Sequence, residues 1–123
     1  MQRAFLSIRD RLDRVGVLLS GLCAVHCLLG LLLVSVLGFG GELFLAPEIH
    51  RVGLALAVVV GTVTIGLGVR RHGQLGPLLI GAFGIALMSA ALLAGHGAAE
   101  VVLTIAGVAL VAAAHIRNLR HAC

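Results

Sequence analysis

The stretch that decides the fold is VGVLLSGLCAVHCLLGLLLVSVLGF, residues 15–39, which contains no Asp, Glu, Lys or Arg. A transmembrane helix needs about 20 consecutive, mostly apolar residues, and this run is long enough. It is longer than the apolar core of a secretory signal peptide, about 7–15 residues, and no small-residue cleavage pattern follows it. We therefore predict a membrane-spanning helix over residues 15–39.

Three further apolar runs follow, and their limits predict spans over residues 50–69, 75–95 and 99–116. Hydrophobic residues make up 60% of the chain and charged residues 11%, and the mean hydropathy is +1.15. A soluble domain of this size needs far more polar surface. Since 123 residues suffice for one domain, we expect residues 1–123 to form an all-α bundle of four transmembrane helices.

The arginines predict the orientation of this bundle. Eight of the nine lie in the N-terminal segment, in the 70–74 loop or in the C-terminal tail, and Arg51 is the exception. Because positively charged loops stay on the cytoplasmic side, both termini are predicted to be cytoplasmic. The arginines flank apolar runs instead of forming a patch, and only four residues are aromatic, so we expect no nucleic-acid binding.

The central motif of the first span is Cys23-Ala-Val-His-Cys27. At about 100° per residue, Cys23, His26 and Cys27 share one face of a helix. Small residues on the same face are Gly16, Ser20 and Gly30. Thiolate and imidazole suit thiophilic and transition-metal ions, and a histidine inside a membrane needs a partner in the bundle interior. We predict a metal site made of Cys23, Cys27 and His26; the alternative is that the cysteines only pack.

Cys23 and Cys27 are predicted to remain thiols. Cβ atoms one helical turn apart are separated by about 5–6 Å, whereas a relaxed disulfide needs about 3.5–4.5 Å. Haem is also disfavoured, because the motif has the wrong order for covalent attachment and the histidines lie at different depths of the predicted membrane.

Further ligating side chains lie near both predicted membrane surfaces. The candidates for an outer site at which cations enter are His50, His96 and Glu100. The candidates for an inner site at which they leave are His115, His121 and Cys123. The alternative is that these are ordinary interfacial polar residues. His72, which follows two arginines, is expected to be a solvated loop residue.

Small residues recur at every fourth position in three of the predicted helices. These motifs are Gly16-Ser20-Ala24, Gly53-Ala57-Gly61 and Ala82-Ala86-Ala90-Ala94. Such a pattern lets membrane helices approach closely, so we expect these faces to form the helix contacts. The alternative is that a chain rich in alanine and glycine produces the pattern by composition alone.

Several motifs, in order, connect the chain to a known family. They are Cys23-Ala-Val-His-Cys27 in the first span, His50-Arg51 and Arg70-Arg71-His72 at the ends of the second, and Glu100, Leu103-Thr104, Gly107, His115 and Asn118 in the fourth. In this combination the chain resembles the MerC-type mercury resistance family of small four-helix proteins of the bacterial inner membrane. The resemblance implies uptake of mercuric ion, with Cys23 and Cys27 as its ligands.

The chain departs from this family pattern at two places. Transporters of the family typically carry a cysteine pair in the cytoplasmic tail, where this chain has only Cys123. Many also have a proline after the first motif, where this chain has Gly30-Leu31. The missing tail thiol leaves open both transfer to a cytoplasmic reductase and the identity of the ion, since six histidines also suit zinc.

The leading functional hypothesis is an importer of mercuric ion, with zinc or another divalent transition metal as the alternative ion. Mercuric ion is satisfied by two opposed thiolates, whereas zinc needs about four ligands. The expected partners are the lipid bilayer, the transported ion, a second copy of the chain in a homodimer and a cytoplasmic metal acceptor. No permanently bound cofactor is expected. The competing hypothesis is a structural membrane subunit that transports nothing. An enzyme is not expected, because no nucleophile–base pair, phosphate-binding loop or carboxylate pair lies at mid-membrane.

Overall fold

A computed structural model of the chain describes residues 1–38, 46–95 and 97–121. Within these ranges the chain forms four α-helices: α1 (Gln2–Leu37), α2 (Pro47–His72), α3 (Gly76–Ala94) and α4 (Ala98–Arg120). Each helix is long and apolar enough to cross a membrane. The predicted all-α fold with four spans is confirmed.

The first, second and fourth helices are longer than the predicted spans. α1 begins at Gln2, because residues 2–14 contain neither glycine nor proline and continue the helix of the apolar run. Its 36 residues extend about 54 Å at the usual rise, so its basic first turns reach beyond a hydrocarbon core of about 30 Å. α1 ends where Gly38 takes a left-handed conformation with φ 69°. Residue 39 of the predicted span lies outside the described residues.

The interior of the bundle is formed by small and polar stripes on α1, α2 and α4. The buried residues of these stripes are Asp13, Gly16, Ser20, Cys27 and Gly30 on α1; His50, Gly53, Ala57, Gly61, Thr64 and Gly68 on α2; and Glu100, Thr104, Gly107, Val111, His115 and Asn118 on α4. Their spacing of three, four or seven positions keeps each set on one helix face. The predicted small-residue contact faces of α1 and α2 are therefore confirmed, while large residues such as Leu18, Leu22 and Leu28 point outward.

The prediction for α3 is wrong. Ala82, Ala86, Ala90 and Ala94 are exposed, and the buried face of α3 contains Gly81, Gly84, Met88 and Ala91 instead. The reason is close packing against α4, since a Cβ atom on Gly84 would lie only 2.7 Å from the carbonyl oxygen of Gly107. This contact requires glycine, and alanine cannot replace it without moving the helices apart.

Candidate metal centre

At one end of the bundle, three helices bring a thiol, an imidazole and a carboxylate into line. The Sγ atom of Cys27 on α1 lies 3.3 Å from Nε2 of His50 on α2. Nδ1 of the same ring lies 3.3 Å from Oε1 of Glu100 on α4. All three side chains are buried. This arrangement links a sulfur of the predicted metal site to a ring whose opposite nitrogen faces a carboxylate.

Cys23 and His26 complete this group, which we call the thiol cluster (Cys23, His26, Cys27, His50 and Glu100). The ring of His26 meets that of His50 edge-on, with centroids 6.4 Å apart. Cys23 faces α2, where a Cβ atom on Gly53 would lie 3.3 Å from its Sγ. Both cysteines are free thiols, as predicted.

The thiol cluster opens into a cavity between α1 and α2. This cavity has a volume of about 420 Å³, and its lining includes Cys23, His26, Cys27 and His50. Its other walls are apolar, with Leu22, Val25, Leu29, Ile49, Val52 and Leu56 among them. An ion that enters this cavity meets both sulfurs and both imidazoles.

The structure brings together residues that the sequence assigned to separate sites. His50 and Glu100 were expected at a site for cation entrance, apart from the cysteines, yet they contact Cys27 directly or through each other. Their role in binding stays a prediction. His96 and Cys123 lie outside the described residues.

The donor atoms of the thiol cluster do not surround a common centre. His50 directs one ring nitrogen toward Cys27 and the other toward Glu100, so the carboxylate stands behind the imidazole. Among the residues that the structure describes, no group of three or more His, Cys, Asp or Glu side chains is arranged to hold a metal ion.

At the other end of the bundle, a buried carboxylate is held by two neighbouring side chains. Nδ1 of His115 donates to Oδ1 of Asp13 at 2.7 Å, and Nδ2 of Asn118 donates to Oδ2 at 2.8 Å. Asn118 also donates to the carbonyl oxygen of Thr64 at 3.3 Å. A carboxylate buried this completely needs such partners to offset its desolvation.

His72 joins the same network, which we call the carboxylate cluster (Asp13, Thr64, His72, His115 and Asn118). Its Nδ1 accepts from the backbone N–H of Gln74 at 3.0 Å, so its Nε2 donates to Oδ1 of Asn118 at 2.9 Å. The expectation of a solvated loop residue is wrong, because the amide of Asn118 needs a donor at this position. The ring of His121, an expected ligand for departing ions, lies 5.5 Å from that of His72.

Asp13 was missed in the sequence because it stands among arginines and looked like part of a solvated basic segment. The missed signal was the spacing of the interior stripe. Positions 13, 16, 20, 23, 27 and 30 are separated by three or four residues, so one turn more toward the N-terminus reaches Asp13. His115, expected near the inner surface, is fully buried beside it.

The fold and these two clusters define a class of protein, a multi-pass membrane protein whose interior carries thiol, imidazole and carboxylate groups. A family model described as MerC mercury resistance protein matches residues 13–120, and the chain belongs to that family. The predicted resemblance is confirmed, and with it a mercury-related role in a membrane. No curated protein and no solved structure matches the chain.

Proposed function

We propose that this protein carries mercuric ion across the bacterial inner membrane into the cytoplasm, with Cys23 and Cys27 as the capturing ligands. The observation that carries the proposal is the thiol cluster, in which two free thiols share a cavity with His26 and His50 inside a membrane protein. The arginine distribution supports an orientation with both termini in the cytoplasm.

Capture requires that the thiols lose their protons, because thiolate is the form that binds metal. His50 is the acceptor for the proton of Cys27, since its Nε2 lies 3.3 Å from the sulfur. Glu100 stabilises the positive ring that results, because its carboxylate lies 3.3 Å from Nδ1. Proton transfer from Cys27 to His50 thus accompanies formation of one sulfur–mercury bond. The proton of Cys23 passes to His26, the other imidazole that lines the cavity, as the second bond forms.

The arrangement of donors supports mercuric ion as the cargo. Two thiolates complete the coordination of mercuric ion, whereas zinc needs about four ligands around one centre. Nε2 of His50 lies against Cys27 and Nδ1 lies against Glu100, so the sulfur of Cys27 is the donor that we expect to face the ion together with Cys23. His26 provides a further nitrogen beside the sulfurs.

Transport in this scheme runs down the gradient of free mercuric ion. Thiols of a cytoplasmic acceptor keep the internal concentration low, and the membrane potential favours inward movement of a cation. The ion leaves toward the C-terminal end of α4, where His121 and Cys123 are the expected ligands. A second copy of the chain would cover the side of the cavity between α1 and α2.

Uptake of radioactive mercuric ion by cells tests this function. Cys23→Ser and Cys27→Ser, singly and together, should reduce uptake to the level of cells without the protein, because each removes one of the two sulfur ligands. Leu28→Ala is the matched control, since this side chain on the same helix is exposed on the bundle surface and does not line the cavity. Undiminished uptake by the double variant would rule out the cysteine route.

A further inference from the structure

A small cavity lies between the two clusters. Its lining includes Gly16, Ser20, Cys23, Gly53 and His115. Its volume of about 10 Å³ is near the smallest that can hold one water molecule. Cys23 of the thiol cluster and His115 of the carboxylate cluster therefore line the same cavity, which has room for about one water molecule.

His115 presents an unsatisfied nitrogen to this cavity. The side chain is fully buried, and its Nε2 has no hydrogen-bond partner among the described residues. Gly16 makes room for the imidazole ring, because a Cβ atom on Gly16 would lie 2.5, 2.6 and 2.7 Å from Nε2, Cδ2 and Cε1. A polar atom buried without a partner is costly, so its presence calls for an explanation.

Asp13 determines which nitrogen of His115 carries the hydrogen. An ionised carboxylate only accepts hydrogen bonds, so Nδ1, at 2.7 Å from Oδ1, is the protonated nitrogen. In the neutral ring, Nε2 then holds the lone pair, and the ring lines the cavity. Metal-binding histidines have this arrangement, in which a carboxylate fixes the ring and the opposite nitrogen binds the ion.

Cys23 and His115 approach each other from opposite ends of the cavity. Cys23 lies seven residues beyond Gly16, about 10 Å along the axis of α1. In a helix each Cα–Cβ bond tilts toward the N-terminus. α4 runs antiparallel to α1, since Glu100 lies near Cys27 and His115 lies beside Asp13. The side chains of Cys23 and His115 therefore tilt toward each other, which shortens the distance between them.

We propose that His115 is an interior metal ligand that, together with Cys23, forms a second station for the ion below the Cys23–Cys27 pair. This inference rests on the proposed function, since it concerns the path of the same thiophilic divalent cation. Among the described residues that line this cavity, only His115 has a buried side-chain nitrogen without a hydrogen-bond partner.

The transfer between stations is a ligand exchange without any change of oxidation state. The bond between Cys27 and the ion breaks, and the lone pair of His115 Nε2 forms the new bond. Cys23 remains bound throughout, so the ion keeps one strong sulfur ligand. The Cys27 thiolate takes back the proton held by His50, so this pair returns to its starting state. Cys23 stays a thiolate on the ion and recovers its proton only when the ion leaves. Exchange of one sulfur for a weaker nitrogen ligand prepares release, because an ion must bind weakly enough to leave.

The proposed second station can be trapped by removing Cys27. In full-length protein carrying Cys27→Ser and Cys123→Ser, Cys23 is the remaining thiol. We expect one equivalent of mercuric chloride to shift the Nε2 resonance of His115 strongly in the ¹⁵N spectrum of histidine-labelled protein, while Nδ1 keeps its proton. His115→Gln in the same protein identifies the resonance. An Nε2 resonance that stays unchanged while mercury is bound overturns the proposal.

Transport by reconstituted vesicles provides a second readout that does not depend on folding of the Cys27 variant. His115→Gln keeps a donor for Asp13 and should still bind mercury at the thiols, but its rate of mercuric ion transport should fall about tenfold. Ser20→Ala is the matched control in the same cavity, because the Ser20 hydroxyl already donates to the carbonyl of Gly16 at 2.9 Å. Transport by His115→Gln at the unmodified rate overturns the second station.

These outcomes separate the two proposals. Loss of uptake in the cysteine variants, combined with unaffected transport by His115→Gln, contradicts the second station and leaves the proposed function standing. Undiminished uptake in the cysteine double variant contradicts the proposed function itself, whatever His115 does.

Discussion

Each of two buried histidines in this protein faces a carboxylate from another helix. Glu100 lies 3.3 Å from Nδ1 of His50, and Asp13 lies 2.7 Å from Nδ1 of His115. In both cases Nε2 is left for other contacts, with the sulfur of Cys27 in the first and with the interior cavity in the second. In the proposed mechanism the acidic residues therefore position the rings, while the ring nitrogens accept the proton of Cys27 and bind the ion.

The role of Glu100 can be tested by Glu100→Gln. Because glutamine keeps the size of the side chain but removes its charge, the positive form of His50 loses its stabilisation. We expect mercuric ion to bind roughly 10–100-fold more weakly, as measured by competition with a thiol of known affinity. Glu48→Gln, at an exposed site in the first turn of α2, is the control. An equal effect of both substitutions would show that only the overall charge matters.

Some of these residue contacts lie beyond what the sequence can predict. The cysteine–histidine motif was visible because its members lie on one helix face. Asp13 and His115, in contrast, are 102 positions apart, and the pairing depends on the relative height of α1 and α4. His72 looked like a loop residue because its partner, Asn118, is supplied by another helix.

At the level of helices, spacing predicted two of the contact faces and failed for a third. On α1 and α2 the small residues alternate with large ones, so only one face permits close approach. On α3 both faces carry small residues, because Gly81 and Gly84 compete with the row that begins at Ala82. Packing against α4 determines which face of α3 is buried, because the position opposite Gly107 has room only for a glycine.

The packing of α3 against α4 predicts a specific sensitivity at Gly84. Gly84→Ala places a Cβ atom 2.7 Å from the carbonyl oxygen of Gly107, and overpacking of this kind costs about 1–3 kcal/mol. Gly66→Ala on α2 is the control, since its added Cβ meets nothing within 4 Å. Unfolding of both variants in detergent by a denaturant would measure the difference. Equal stabilities would contradict the glycine contact.

Over the whole molecule, polar groups occupy the two ends of an interior whose middle is small and narrow. Asp13 and Cys27 are fourteen residues apart on α1, about 21 Å along its axis. Between them lie Gly16, Ser20 and Cys23, all lining the same cavity. Large aliphatic side chains cover the outside. In the proposed mechanism the ion passes between these donor atoms through a narrow interior, whose cavity is also lined by Leu19, Val60, Met88, Val108 and Val111.

The central claim is that Cys23 and Cys27 together bind mercuric ion, and X-ray absorption at the mercury edge tests it most directly. Cys123→Ser protein with one equivalent of mercuric ion contains these two thiols and no other. The account predicts a spectrum with two sulfur neighbours, and one sulfur neighbour when Cys27→Ser is added. A spectrum without two sulfurs in the first protein, or one that Cys27→Ser leaves unchanged, would contradict it.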